Sequence, residues 1–349
     1  MATQSAFMAA GRRRPQLSIL TLLALTLSIG GAGMVGAQPP APVAVVLTSD
    51  AAARAGLLIP IEIGTFLGDA VIQVAIGSRG AGLGAARRTA LRVMSASPGG
   101  SAVAIADRID DPAGGLTLAH PDGSQVRTAL PGVTGAAFAP DGSWVAAVDG
   151  RGRIWRVDSE SGSASRLADG PFGGAVTFEP SGAVLAIAVA SVEAPYASHL
   201  VRIDPESGRL TDVAGIDAPL VLAAQPLADG SLAAVIHPLG GGIVVRRVTP
   251  HGSSLLADIG SSAVDVAVSP DGAFVAYAVV DDGVHLVDVR RGFTARLGDG
   301  DLPRFAPNAQ ALLVQAAGRT AVIGYDGRTI QTHSSPAAAW ATCVRGCRP

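Results

Sequence analysis

Short apolar runs alternate with polar turn residues through most of the chain, and no run beyond the amino-terminal segment keeps a helical period. The runs are rich in Val, Ile and Ala, as in residues 145–148, 154–157, 274–279 and 285–289. Strands of this length at even spacing, separated by turn residues, are typical of all-β folds rather than of parallel α/β sheets. The pattern therefore predicts an all-β protein.

A Pro-Asp-Gly-like turn recurs between the apolar runs and divides the chain into repeats. It lies at residues 97–100, 139–142, 179–182, 227–230, 269–272 and 306–309, at intervals of 37 to 48 residues. A second turn follows within each repeat, as at residues 158–162. Pro sets φ, Asp or Ser bonds the local backbone, and Gly accepts positive φ. Two tight turns per repeat predict four strands, and the period is about that of one propeller blade.

Two repeats show the pattern in full, FAPDGSWVAAVDGRGRIWRVDSESGSASRL and VSPDGAFVAYAVVDDGVHLVDVRRGFTARL. They resemble the repeats of TolB-like β-propellers and, more loosely, WD40-like ones, over about residues 88–335. The resemblance implies six four-stranded antiparallel blades, with seven as the alternative. Residues 56–87 are then a partial or seventh blade, strands that complete another blade, or strands packed outside the ring. Propellers host many unrelated functions, so no activity follows from the fold.

The amino terminus has the layout of an export signal. Three arginines at residues 12–14 precede an apolar run, and small residues up to Ala37 complete a secretory signal peptide over residues 1–37. A Pro/Ala-rich linker, residues 38–55, follows. The alternative is an uncleaved membrane anchor over residues 17–37, which is long enough to span a bilayer. Both alternatives predict an exported protein, periplasmic or extracellular if the signal is cleaved.

The composition indicates the type of source genome and excludes several kinds of catalytic chemistry. The chain has no Lys and a single Asn, Asn308, which indicates a high-GC bacterial genome. Without Lys, Schiff-base chemistry and a P-loop are excluded. A charged fraction of 15 % and a net charge of −2 give no basic patch for nucleic acid. No G-x-S-x-G or H-E-x-x-H motif occurs, so we predict no catalytic residues and favour a non-enzymatic protein.

The only two cysteines, Cys343 and Cys347, lie in a carboxyl-terminal tail at residues 336–349. In an oxidising compartment we expect them to form a small disulfide loop, with free thiols as the alternative. Two thiols make at most half of a zinc site, so no metal is predicted there.

The propeller topology separates the two tight turns of each repeat from the irregular loops on the opposite face. Binding groups usually concentrate on such loops. We expect an acidic rim there that binds a cation, a basic peptide or a partner protein; the alternative is a solvated rim with no ligand. The rim candidates are Asp107, Asp110, Asp111, Asp149, Glu193, Tyr196, His199, Asp281 and Asp282.

These observations predict an exported β-propeller that acts as a non-enzymatic protein- or ligand-binding platform in the cell envelope or outside the cell. No cofactor is predicted, and a divalent cation at the acidic rim is the one candidate. The alternative is a metal-dependent propeller hydrolase or dehydrogenase with its site at the mouth of the central channel. Contact with a membrane is expected only through an uncleaved anchor.

Overall fold

Short strands joined by tight turns build the described chain, as the apolar pattern predicts. The computed structural model describes residues 42–48, 61–66, 69–75, 91–107, 115–120, 124–130, 132–190, 197–216, 220–307, 309–316, 319–333 and 337–342. The predicted signal peptide, the alternative anchor and the Cys343/Cys347 pair lie outside these residues. In the described part of the chain, no helix is long and apolar enough to cross a membrane.

Three strands precede the repeats: β1 (Pro42–Thr48), β2 (Ile61–Phe66) and β3 (Asp69–Ala75). The repeats then form six four-stranded antiparallel sheets, one per repeat, which confirms the predicted all-β fold of six antiparallel blades. Blade 1 consists of β4 (Leu91–Ala96), β5 (Val103–Asp107), β6 (Leu116–Ala119) and β7 (Gln125–Thr128). Blade 2 consists of β8 (Gly135–Phe138), β9 (Trp144–Val148), β10 (Ile154–Asp158) and β11 (Ala164–Ala168). Blade 3 consists of β12 (Phe172–Phe178), β13 (Val184–Val189), β14 (Ser198–Ile203) and β15 (Leu210–Asp212).

The remaining three blades repeat the arrangement. Blade 4 consists of β16 (Leu220–Pro226), β17 (Leu232–His237), β18 (Ile243–Thr249) and β19 (Gly252–Gly260). Blade 5 consists of β20 (Ala263–Val268), β21 (Phe274–Val279), β22 (Gly283–Asp288) and β23 (Phe293–Gly298). Blade 6 consists of β24 (Asp301–Phe305), β25 (Leu312–Ala316), β26 (Arg319–Ile323) and β27 (Thr329–His333).

A seventh four-stranded sheet joins the two ends of the chain in the order β2-β3-β1-β28, where β28 is Ala337–Thr342. It is mixed rather than antiparallel, because β1 pairs antiparallel with β28 but parallel with β3. Strand β28 contacts both β24 and β4, the innermost strands of blades 6 and 1. The first strand comes from the segment predicted as a linker, because its Val-Ala-Val-Val-Leu run favours a strand. Two of its strands, β2 and β3, come from residues 56–87, whose place in the fold the sequence left open.

Aliphatic side chains fill the space between neighbouring blades. Blades 1 and 2 share one buried cluster, and blades 2 and 3 share the next, around Val148, Val184 and Ile203. Three further clusters join blades 3 to 6 in the same way. Blades 2 to 5 therefore each bury both faces against their neighbours, as expected where sheets pack face to face around a centre.

Glycine with positive φ defines the recurring turns. Gly142 and Gly272 in the first turns have φ of 75° and 68°, and Gly162 in a second turn has φ of 67°. In blade 6 the equivalent residue is Ala309, which holds φ of 54° although its Cβ is disfavoured there. The turn geometry is therefore kept even where the sequence lacks glycine.

Candidate functional site

The face with the tight turns, here called the turn face, uses its acids to hold the turns. The carboxylates of Asp141 and Asp229 accept hydrogen bonds from the N–H groups of Ser143 and Ser231, two residues further on, both at 3.0 Å. Hydrogen bonds from these serines lower the pKa of both carboxyls below the usual range. The structural role predicted for the turn aspartates is therefore confirmed.

Arginines on the third strand of blades 3 and 4 brace the same face. Arg202 forms a two-pronged ion pair with Glu179, with nitrogen–oxygen distances of 2.9 and 2.6 Å. Arg247 lies 3.4 Å from the Asp229 carboxylate and donates to the carbonyl oxygen of Asp271, in the next blade. These two arginines therefore hold turns within a blade and between neighbouring blades.

Asp149, a predicted rim residue, lies on the opposite face but is buried. Its carboxylate accepts hydrogen bonds from the N–H groups of Arg151 and Arg153, from Arg153 Nε at 2.8 Å and from Trp155 Nε1 at 3.0 Å. Burial raises the pKa of Asp149, but the hydrogen bonds from Arg153 and Trp155 outweigh it and lower the pKa overall. The carboxylate organises its own loop and does not face solvent.

Two further rim candidates, His199 and Asp282, contact residues of their own blades. His199 on β14 lies 3.4 Å from Asp212, and the Asp282 carboxylate lies 3.0 Å from His285 and 3.4 Å from Arg296. Asp281 is exposed, with φ of 62°.

Five rim candidates remain. Asp107 ends β5, and Asp110, Asp111, Glu193 and Tyr196 lie outside the described residues. Within the described ranges, no three His, Cys, Asp or Glu side chains cluster so as to hold a metal ion.

A cavity of about 440 Å³ lies where the innermost strands of the blades meet. Its lining comes mainly from β8, β12, β16, β20 and β24, so that five consecutive blades contribute. Most lining residues are small or aliphatic. We call this cavity the channel, because the first strands of five consecutive blades line it, and the chain enters these strands from the irregular-loop face.

One repeat position dominates the channel wall. Thr134, Gly174, Leu222 and Val264 each stand six residues before the proline position of their turn, and all four line the cavity. At Leu222 and Val264 the pairing register skips one residue, so each is the extra residue of a β-bulge. A bulge frees a residue from the ladder and re-aims side chains. Both side chains are consequently exposed, at 39 % and 56 %.

Only two charged groups belong to the lining formed by the described residues, Asp265 on β20 and Arg304 on β24. Asp265 follows the bulged Val264 directly and is partly buried. Arg304 is exposed, and its guanidinium donates to the carbonyl oxygen of Pro303 at 3.0 Å. The channel thus combines an apolar wall with one acid and one base.

These channel residues are not among the site residues predicted from the sequence. Bulges depend on pairing between strands, which single-sequence patterns do not show. One signal was present: Asp265 interrupts the apolar run of β20 between two valines, and an acid inside such a run is unusual.

Comparison with known proteins supports the fold. No protein-family model matches the chain, and no curated protein matches it. Among solved structures, TolB from Acinetobacter baumannii is similar at 21 % identity and a TM-score of 0.53, covering 70 % of this chain and 67 % of that one. Kuenenia stuttgartiensis hydrazine synthase is similar at 15 % identity and a TM-score of 0.55, covering 71 % and 80 %.

A third solved structure, the Swd1 β-propeller domain of "Myceliophteria thermophila", is 17 % identical with a TM-score of 0.47, covering 68 % of this chain and 82 % of that one. The similarity to TolB agrees with the six repeated antiparallel blades. This chain has a β-propeller fold similar to that of TolB.

Proposed function

We propose that this propeller is a non-enzymatic binding platform, exported from the cell, whose binding surface is the channel and its mouth on the irregular-loop face. Propellers generally present such a face to proteins or ligands. The proposal differs from the acidic rim expected from the sequence, since it moves the main contact from the loops to the innermost strands.

The observation that carries the proposal is the pair of bulged, exposed residues Leu222 and Val264. A single exposed aliphatic side chain needs no explanation. Here two occupy the same repeat position of neighbouring blades and line the same cavity. If a partner covered these side chains, each Å² of buried apolar surface would contribute about 25 cal/mol to the free energy of binding. An apolar wall of this kind favours binding of a complementary surface.

The placement of the other charged groups supports binding over catalysis. Titratable groups with lowered pKa on the turn face, such as Asp141 and Asp158, owe the shift to hydrogen bonds with neighbouring serines. Asp149 owes its lowered pKa to the donors of its own loop. These shifts are explained by turn and loop structure, so they need no catalytic role.

Export rests on the arginine-led apolar segment at the amino terminus, as predicted from the sequence. We place the platform in the periplasm or outside the cell, where its partner must then also occur. The search for a partner should use an envelope or culture-fluid fraction.

Affinity capture with paired variants tests the proposal. The tagged chain, a Leu222→Ser/Val264→Ser variant and a matched Leu255→Ser/Phe293→Ser variant are incubated with an envelope extract from the producing cells. Leu255 and Phe293 are also exposed, at 58 % and 63 %, but lie on the outermost strands of blades 4 and 5. We expect a partner that the parent chain and the outer-strand variant retain and the channel variant loses at least tenfold.

Capture of nothing by the parent chain, or equal loss in both variants, would contradict the platform. Equal capture by all three proteins would contradict the assignment to the channel. Thermal unfolding of all three variants, compared before capture, shows whether a loss reflects misfolding.

A further inference from the structure

We propose that the channel binds an amphipathic primary amine, with its ammonium group on Asp265 and its apolar body against Leu222 and Val264. The inference rests on the proposed use of the channel as a binding site and adds the chemical class of the ligand. It depends on three features of the channel: an unpaired carboxylate, a bulge beside it and the chemistry of the rest of the wall.

The Asp265 carboxylate has no partner among the described residues. Within the described part of the chain, no hydrogen bond donor reaches it and no cation lies within ion-pair distance. This sets it apart from Asp141, Asp149 and Asp229, whose oxygens all accept hydrogen bonds. A partly buried carboxylate without a donor loses hydration and gains nothing in return, so a ligand cation restores the missing interaction.

A bulge lies beside the acid in the cavity wall. In β20 the register passes from Ala263 opposite Val279 directly to Asp265 opposite Ala278, leaving Val264 unpaired in the ladder. Ala263, Val264, Asp265 and Val266 all belong to the cavity lining, so the acid and the bulged valine are neighbours there. The strand thus offers a charged anchor and an apolar contact side by side.

The other lining residues restrict the ligand further. No aromatic side chain belongs to the described lining, so the ring faces that recognise quaternary ammonium groups are missing from it. A primary ammonium instead donates hydrogen bonds to a carboxylate. Arg304 adds a positive charge to the same cavity, which disfavours a ligand with a second cationic group. A monoamine with an aliphatic body fits these conditions.

Titration calorimetry on the full chain at neutral pH tests the inference with four probes of equal chain length. The probes are n-hexylammonium, hexyltrimethylammonium, hexanoate and hexanol. We expect n-hexylammonium to bind at least tenfold more tightly than each of the other three, because a hydrogen bond to a charged acceptor contributes on that order.

Two variants locate the effect. Asp265→Asn keeps the shape but removes the charge, and we expect it to reduce n-hexylammonium binding to that of hexanol with unchanged thermal stability. Glu160→Gln removes an exposed acid of the turn face, whose side chain makes no hydrogen bond among the described residues, and we expect no change in binding.

Equal binding of n-hexylammonium and hexanol, or a preference that survives in Asp265→Asn, would overturn the ligand class. No binding of any probe would also overturn it. In each case the captured partner of the preceding section is measured separately with Leu222→Ser/Val264→Ser, so that failure of the amine proposal leaves the platform proposal to its own test.

Discussion

The two sides of this propeller use the same residue types for different purposes. On the turn face, carboxylates such as Asp229 accept hydrogen bonds from the turn they belong to, and Arg247 links neighbouring blades. In the channel, reached from the other side, none of the described residues donates to Asp265, and two aliphatic residues are exposed. Satisfied polar groups stabilise a fold, whereas unsatisfied and apolar surface remains for a partner. The contrast separates the residues that stabilise the fold from those that we propose bind a partner.

Asp149 on the loop side accepts several hydrogen bonds, and its loss has the largest expected effect. Asp149→Ala leaves two backbone N–H groups, Arg153 and Trp155 without their buried acceptor, so we expect about 3 kcal/mol of destabilisation. Urea unfolding of the full chain measures it. Arg151→Ala in the same loop is the control, because its exposed side chain should change stability by less than about 0.5 kcal/mol. Equal effects of both changes would show that the loop tolerates loss of the carboxylate.

Adding a Cβ at a turn glycine should cause the next largest loss in the free energy of unfolding. At Gly272, φ is 68° and an added Cβ would meet the guanidinium of Arg247. At Gly182, φ is 89° and nothing lies within 4 Å. We expect Gly182→Ala to cost about 1 kcal/mol from backbone strain alone and Gly272→Ala about 2 kcal/mol. Chemical denaturation compares them, and a larger cost at Gly182 would contradict the role given to Arg247 between the blades.

Low pH should lower the stability of the protein, because the turn-face aspartates lose their charge. The folded-state pKa values of Asp141, Asp229 and Asp271 are lowered, so their contribution is present above the unfolded-state pKa of about 3.9 and is lost as pH falls through the folded-state values. We expect the Tm of the parent chain to fall between pH 5 and pH 3. A triple Asp→Asn variant keeps the acceptor oxygens and should lose fewer degrees over the same range. If the Tm of the parent chain and the Tm of the triple variant fell equally with pH, these aspartates would not be the cause of the acid sensitivity.

The channel residues should have the smallest effect on stability. Because Leu222 and Val264 are exposed and unpaired in the ladder, Leu222→Ser/Val264→Ser should change the free energy of unfolding by less than about 0.5 kcal/mol for each residue. Val184→Ser on β13, fully buried between blades 2 and 3, is the contrasting variant and should cost several times more. A large loss of stability in the channel variant would mean that Leu222 and Val264 stabilise the fold.

Local signals made the six blades predictable, and non-local pairing explains what the sequence did not show. The turns are encoded by adjacent residues, so Pro-Asp-Gly patterns located them, and even Ala309 follows the pattern. The mixed seventh sheet pairs β1 with β28, strands nearly 300 residues apart, and no turn signal joins them.

The candidate site, too, was predictable from the sequence only in part. The sequence placed Asp149 on the irregular-loop side but did not reveal its buried donors. The exposure of Leu222 and Val264 depends on bulges, which arise from the register between strands. Of the channel residues, only Asp265 left a visible trace in the sequence, as an acid inside an apolar run.

Site-specific photo-crosslinking in the producing cells tests the central claim most directly. A benzophenone amino acid is placed at position 264 in the channel or at position 160 on the turn face of the full-length chain, and the cells are irradiated. We predict a discrete crosslinked partner or ligand adduct from position 264 and none from position 160. Adducts from position 160 alone, or none from position 264, would contradict a binding role for the channel.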